Sequence, residues 1–510
     1  MEQKCLKTSI YINDTIFNEA TEQAVDVDFT LPDYCPDISK IFKCQAVPRI
    51  ASKGINGRTI TIDGAVHITL LYADRDGRLC SYEYQYPFSK SLEMSSECAG
   101  ANLCCKIRNE YINCRAVTGR KVDIHGAVGI YVKVFKRKCT DIVSDYDDSN
   151  IELRRGMAPA TVPMGYSEKY LMIEEEIRIG DSQPNIRNIL RCEANPQVKE
   201  TKIINDKAVV KGEMNLCIIY CPENEGNPQC VKTIIPFSQI IDIDGITELC
   251  ECETKSQLAF LEVKPRMSSG GENKSFLLTA KLLLTAEAYC SNEIAVIMDA
   301  FSRKYKADIK REKVYFEKIT HNVTEKYHCK KTVQLEDNIS SLIDLWCNVQ
   351  NVTTKFESGN MVISGTVMAG MIVVNENGNA LYCEKPIDFE YKYQLECKLG
   401  SPHAEPQIEI LACSYTIISA DSVEIRMDMA INTAVYEKSE VSLISDMAVD
   451  ENETIAKKKK GAMTIYFPSN HECVWDIARI YNASVEEIMR INELESEQLT
   501  AGKMILVPVM

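Results

Sequence analysis

RTITIDGAVHITLLY, residues 58–72, carries apolar side chains at every second position: Ile60, Ile62, Val66, Ile68, Leu70 and Tyr72, with Gly64 at the centre. The positions between are polar or small, from Thr59 and Thr61 to His67 and Thr69. Side chains alternate between faces along a strand, so this stretch predicts a long, half-buried β-strand. The pattern returns around Gly126 (Val122 to Val134), Gly212 (Ala208 to Tyr220) and Gly365 (Met361 to Val373). Weaker copies run from Phe276 to Ala288 and from Val423 to Val435, with Ala280 and Met427 where the glycine would stand. Gly64 and Gly212, and Gly212 and Gly365, are about 150 residues apart, a spacing long enough for a separate core in each repeat. The chain therefore reads as three repeats, each made of two related halves.

From this we expect a mainly β protein with three β-sandwich-like repeats at 1–144, 150–300 and 310–445. A flexible linker at 446–462 and a small unit at 463–510 follow. DYDDSN at 145–150 marks the first junction, and the charged stretch 301–325 the second. An acidic then basic run without periodicity, ending in Lys457 to Lys460, reads as a solvated tether. Ahead of each central strand, Ile38 and Ile41, Ile186 and Ile189, and Ile339 and Leu342 are spaced as on one face of a helix. A two-turn helix is expected there, opened by Pro36 in the first repeat. Glycine with Asp or Asn at 73–79, 221–228 and 375–379 predicts hairpin turns. Each following strand carries a proline and a phenylalanine: Pro87-Phe88, Pro236-Phe237, and the looser Pro386-Ile387-Asp388-Phe389. For the strand glycines, a bend or bulge is preferred to the close approach of a partner backbone.

The 510 residues are 45% apolar, which is incompatible with wholesale disorder, and carry a net charge of −15, which argues against a nucleic-acid partner. No apolar run is long enough to span a membrane, and the N-terminus has no signal-peptide core. A reducing cytoplasm is expected, with most of the 22 cysteines acting as small hydrophobes. No Cys-x-x-Cys spacing and no phosphate-cradling glycine motif occurs, so neither a metal site nor a cofactor is expected. His67 and His125, beside strand-centre glycines, read as solvated or hydrogen-bonded. His328 and Cys329 are neighbours on a strand and point to opposite faces, so they do not form a nucleophile–base pair. No catalytic residue is expected.

The last 48 residues change character. TIYFP is a short strand, Val474 to Tyr481 is helical, and Ser484 to Glu487 is a capping box opening a helix to about Ile491. KMILVPV closes the unit as a strand, giving βααβ. Trp475, Ile477, Ala478, Tyr481, Ile488 and Asn492 are the expected core. This tail resembles a LysM domain, on Tyr466, Trp475-Asp476-Ile477-Ala478, Tyr481, Ser484-Val485-Glu486-Glu487-Ile488, Asn492, Leu494, Gly502 and Leu506-Val507-Pro508. The resemblance implies binding of N-acetylglucosamine polymers such as peptidoglycan between two loops. Those loops would be Asn470, His471, Glu472 and Cys473, and Glu497 to Gly502 with Leu499, Thr500 and Ala501. The family prefers Gly-Asp-Thr-Leu where this chain has His471 to Val474. The change removes a threonine cap of about 1 kcal/mol and the glycine beside the ligand. It implies a retained scaffold with an altered ligand.

The repeats resemble the SPOCS (spore coat, DUF3794) domain. The carriers are Leu31-Pro32-Asp33 with Pro36-Asp37-Ile38, the I-x-x-I-h-x-C segment (h apolar), the glycine-centred strand and the Pro-Phe after the hairpin. SPOCS repeats followed by one LysM look like the SipL-type spore coat morphogenetic proteins. That resemblance implies a non-enzymatic scaffold in the mother-cell cytoplasm, at the forespore surface. It would dock through its LysM domain to a SpoIVA-like coat ATPase and recruit other coat proteins, with peptidoglycan binding as the alternative.

Overall fold

The computed structural model of the chain describes residues 5–224, 227–267, 273–395, 400–455 and 463–508. In the first repeat, β1 (Cys5–Thr30), β2 (Lys40–Asn56), β3 (Thr59–Ala73), β4 (Leu79–Glu93), β5 (Asn102–Ala116) and β6 (Lys121–Tyr146) form two antiparallel sheets, β2-β3-β4 and β1-β6-β5. The second repeat has β7 (Ile151–Arg178), β8 (Ile186–Ile204), β9 (Lys207–Pro222), β10 (Gln229–Asp242), β11 (Glu251–Met267) and β12 (Asn273–Ser302). Its sheets are β8-β9-β10 and β7-β12-β11. The third has β13 (Tyr305–Gln334), β14 (Ile339–Glu357), β15 (Asn360–Asn375), β16 (Ala380–Gln394), β17 (Pro402–Ala404), β18 (Gln407–Ser419) and β19 (Ser422–Thr454). One sheet is β14-β15-β16; in the other, β19 pairs with β13 on one side and with β17 and β18 on the other. The six alternating stretches are β3, β6, β9, β12, β15 and β19, the central strand of each sheet. Their apolar faces meet in pairs. In the first repeat Ile60, Ile62, Val66, Ile68 and Leu70 pack with Val122, Ile124, Val128 and Ile130, all essentially inaccessible.

The expected helices do not form: residues 36–39 are loop ahead of β2, and the rest are strand. Residues 40–56, 186–204 and 339–357 are the bulged strands β2, β8 and β14. In β8, Ile186 pairs with Pro222, Ile189 with Tyr220 and Cys192 with Ile218, with register shifts after Ile186 and Ile189. Three residues of β8 thus pass two of β9. A bulge adds one residue to one strand, so inward side chains recur every third residue and imitate a helical face. In β14, Ile339, Leu342 and Leu345 face Asn375, Val373 and Met371 by the same device.

Strand glycines and proline-linked phenylalanines are cross-strand partners: Gly64 faces Phe88, Gly212 faces Phe237 and Gly365 faces Phe389. A Cβ on Gly64 would stand 2.4 Å from the Arg49 carbonyl and 2.6 Å from the Phe88 ring; on Gly212 the distances are 2.4 Å to the Gln197 carbonyl and 2.3 Å to Phe237. The neighbouring strand bulges opposite each glycine, between Ile50 and Ser52, Val198 and Glu200, and Gln350 and Thr353. The bulge is real but lies in the adjacent strand. The close approach comes from within the chain, from the aromatic ring on one side and the carbonyl of the bulged strand on the other.

Both outer hairpin turns that fall wholly within the described residues form as expected. Asp74 Oδ1 accepts the amides of Asp76 and Arg78, and Asn375 Oδ1 those of Asn377 and Asn379. Gly77 and Gly378 are left-handed, at φ 78° and 81°. In the second repeat, residues 225 and 226 lie outside the described set.

Equivalent positions of the three sandwiches meet. Leu71, Ile219 and Ile372 occupy one position of the repeat, seven residues after Gly64, Gly212 and Gly365, and meet in one apolar cluster. Ile142, Val296 and Leu443 meet in a second, and Val143, Ile297 and Ile444 in a third. These last two sit on long β-arms that extend beyond each sandwich. The arms absorb the junctions. The stretch 301–325 runs from the end of β12 into β13, and residues 446–454, expected as tether, complete β19 against β13. Residues 456–462, with the lysine tract, lie outside the described set.

Candidate functional site

The C-terminal unit is βααβ: β20 (Met463–Tyr466), α1 (Val474–Tyr481), α2 (Val485–Ile491) and β21 (Ile505–Pro508), with β20 and β21 antiparallel. Ile477, Ala478 and Ile488 are fully buried, Trp475 is nearly so, and Tyr481 is half-buried edge-on to Tyr466. Asn492 ties α2 to β21: its amide donates to the Leu506 carbonyl at 2.7 Å and its Oδ1 accepts the Leu506 amide at 2.7 Å. Ser484 caps α2 by accepting the Glu487 amide.

The two expected loops do come together. The Val474 amide donates to the Glu497 carbonyl at 2.9 Å, Cys473 bridges Gln498, and the Gly502 amide donates to Pro468 at 2.9 Å. Asn470, His471, Glu497, Thr500, Ala501 and Gly502 are exposed. Leu499 turns inward to the tail core. Glu472 also turns inward, accepting from the Tyr466 hydroxyl at 2.9 Å and the Ser469 amide at 2.7 Å. With no threonine to cap α1, Asp476 takes over. Its carboxylate accepts the Cys473 amide at 2.9 Å and the Cys473 thiol at 3.0 Å. These two bonds hold Asp476 below the usual carboxylate range, and burial with the same contact pushes the Cys473 thiol up. His471 adopts φ 73°, the left-handed conformation that glycine accepts at no cost.

Sequence reasoning missed the seat of this unit. The Trp475 indole N–H donates to Asp299 Oδ2 at 3.0 Å, the Arg479 guanidinium pairs with the same oxygen at 2.9 Å, and the Phe301 ring meets Trp475 edge-on at 5.0 Å. Arg311 holds the other oxygen of Asp299. Burial works to raise the pKa of this carboxyl, but the Trp475 and Arg311 bonds and the Arg479 charge bring it below its ordinary value. Trp475 is therefore both a core anchor and the contact to the second repeat. Neither Asp299 nor Phe301 stands in a motif that would have marked it.

The SipL SPOCS domain family matches residues 37–117 and 185–265, and the LysM domain family matches residues 472–508. The chain carries SipL SPOCS domains followed by a LysM domain. No curated protein and no solved structure matches it. Each SPOCS match runs from just ahead of β2 or β8 to the far side of β5 or β11, so it covers one whole sheet and an edge of the other. The third repeat lies outside the matched residues but has the same paired sheets, with its outer edge split between β17 and β18.

The domain types found are binding modules of non-catalytic kinds. His328 Nδ1 sits 2.6 Å from Asp428 on the exposed side of β13, while Cys329 is buried. His125 lies between Asp26 and Asp123, at 2.8 and 3.1 Å, which raise its pKa. His67 differs from expectation. It is half-buried in a cavity of about 1100 Å³ between the first two SPOCS repeats, with Arg49, Glu83 and Cys192. Burial and the Arg49 charge push it down to about 4. Among the described residues no hydrogen bond or ion pair joins His67, Arg49 and Glu83 into a relay. No helix among the described residues is long and apolar enough to cross a membrane.

Proposed function

We propose that this sporulation-related chain is a spore coat assembly scaffold, with the three packed repeats as a rigid body and the LysM domain as its gripping unit. The favoured partner is a SpoIVA-like coat ATPase at the forespore surface, reached from the mother-cell cytoplasm. One observation carries the preference for protein over glycan. Met463 and Ile465 alternate outward along β20 with Phe467 just beyond its end, 50–61% exposed, and Met504 is similarly open beside β21. A contiguous exposed apolar row on a small unit suits a docking surface, and it supports the protein reading over the glycan one. Beside it, the loop of His471 to Cys473 has its glycine replaced and its one acidic side chain, Glu472, turned inward. LysM domains in general suit peptidoglycan or related sugars, and that is the alternative.

The test uses full-length chain with Ile465→Lys and Phe467→Glu together. Loss of the coat ATPase in pull-downs and of forespore localisation, with an unchanged β-sheet circular dichroism spectrum, supports the scaffold. Normal localisation would sink it. Saturable chitooligosaccharide binding by the wild-type chain, abolished at the 470–473 loop, would favour the glycan reading.

A further inference from the structure

At the seam between the second and third repeats, three side chains converge on one point. Cys217 of β9, Cys230 of β10 and Asp344 of β14 each offer a ligand atom, all within 4.8 Å of one another. The sulfurs are 3.7 Å apart, Cys217 Sγ is 3.6 Å from Asp344 Oδ2, and Cys230 Sγ is 3.8 Å from Asp344 Oδ1. Tetrahedral zinc, with Zn–S near 2.3 Å and Zn–O near 2.0 Å, has S–S edges of about 3.8 Å and S–O edges of about 3.5 Å. The S–S separation fits such an edge, and each sulfur stands about one S–O edge from an oxygen of the same carboxylate, Cys217 from Oδ2 and Cys230 from Oδ1. We propose that Cys217, Cys230 and Asp344 bind a single thiophilic divalent cation, zinc in type, which pins the second SPOCS repeat to the third.

The surrounding charges select this class of ion. Lys232 Nζ is 2.7 Å from Asp344 Oδ1 and Arg191 Nη1 is 3.7 Å from Oδ2; Arg191 also pairs with Glu193 and lies 3.8 Å over the Trp346 ring. Those cations oppose an oxygen-ligated calcium or magnesium, which would add two charges with only one carboxylate to meet them. They favour thiolates instead. When the cation enters, the two thiols release two protons, and two thiolates cancel its two charges, so the net charge of the cluster is unchanged. Lys232, whose side chain is 59% exposed, has room to swing outward, leaving a solvent molecule the fourth position. The Asp344 side chain is almost wholly buried, and the site borders the apolar junction of Leu71, Leu190, Ile219 and Ile372, which limits exchange with solvent. Sequence spacing hid the site because its third ligand comes from another repeat.

The experiment titrates reduced full-length chain with cobalt(II), reads the thiolate-to-metal charge-transfer band, and measures zinc content after purification. One equivalent of zinc and a cobalt band are expected. The band should be lost in Cys217→Ser and in Cys230→Ser, and weakened at least tenfold in affinity in Asp344→Asn. It should survive in Cys250→Ser/Cys290→Ser, which removes another close pair, with sulfurs 2.7 Å apart. Competition by zinc should erase the band at one equivalent. Absence of stoichiometric metal in the wild type, persistence of the band in a Cys217→Ser/Cys230→Ser chain, or its loss in the Cys250/Cys290 control would each overturn the proposal.

Discussion

Gly212 has no room for one more carbon: a Cβ there would lie within 2.4 Å of both a carbonyl oxygen and the Phe237 ring. Gly54, in the same kind of sheet, has nothing within 4 Å. Gly212→Ala should therefore cost at least about 1–3 kcal/mol through overpacking, whereas Gly54→Ala should be neutral or slightly stabilising; urea unfolding of the two variants checks the contrast. At His471 the logic reverses. Its left-handed backbone costs an L-residue roughly 1–2 kcal/mol, partly offset by the greater unfolded-state freedom of glycine. His471→Gly should stabilise the LysM unit by about 0.5–1 kcal/mol, seen as slower amide exchange in α1 and α2.

Among elements, the loop between β1 and β2 shows why its prolines recur. Several of its carbonyls are gathered by one cation. The Arg120 guanidinium reaches Leu31, Pro32 and Cys35 carbonyls at 3.0, 2.6 and 3.3 Å and the Asp37 carboxylate at 2.9 Å. Lys274 holds the corresponding position in the second repeat, on the Asp181 and Gln183 carbonyls. Tyr72 and Tyr220 close the same loops from β3 and β9, each donating at 3.1 Å to Pro36 or Pro184. Arg120→Ala should lower stability by about 1.5–3 kcal/mol, the range for hydrogen bonds to a charged group. The check is a denaturant midpoint shift with unchanged slope, together with faster proteolysis at 31–37.

For the whole molecule, charges across the seams are exchanged between equivalent places. Lys43 of the first repeat pairs with Glu384 of the third, while Asp344 of the third pairs with Lys232 of the second. Position for position the signs are inverted, which favours one arrangement of the repeats over its alternatives. His67 makes the first seam pH-sensitive. Its folded pKa of about 4 lies below the unfolded value near 6.5. The unfolded state therefore takes up the proton first, and stability falls as pH drops from about 6.5 towards 4. His67→Gln should flatten that part of the stability–pH curve, while an NMR titration should show the wild-type ring neutral at pH 5.5. The LysM unit is seated by Asp299. Asp299→Ala removes the acceptor of Trp475 and Arg479 and should release the domain with its fold intact. Small-angle scattering would then show an extended particle, and exchange protection at Trp475 would drop; an unchanged scattering profile would count against this seat.

The sequence alone determined the six central strands, the repeat and the tail. Alternation at period two survives any packing that buries one sheet face, and the LysM helices are short and locally capped. The bulged strands β2, β8 and β14 were misread because an added residue per bulge turns period two into period three. The half-buried reading of the central strands did not show that their ends LLYA, CIIYCP and MIVVN are covered on both faces. Only the tertiary structure decided that Leu71, Ile219 and Ile372 meet, that Asp299 receives Trp475, and that Asp344 stands beside two cysteines of another repeat. Contacts between residues over a hundred positions apart depend on how whole sandwiches close on one another, and no local periodicity encodes that closure.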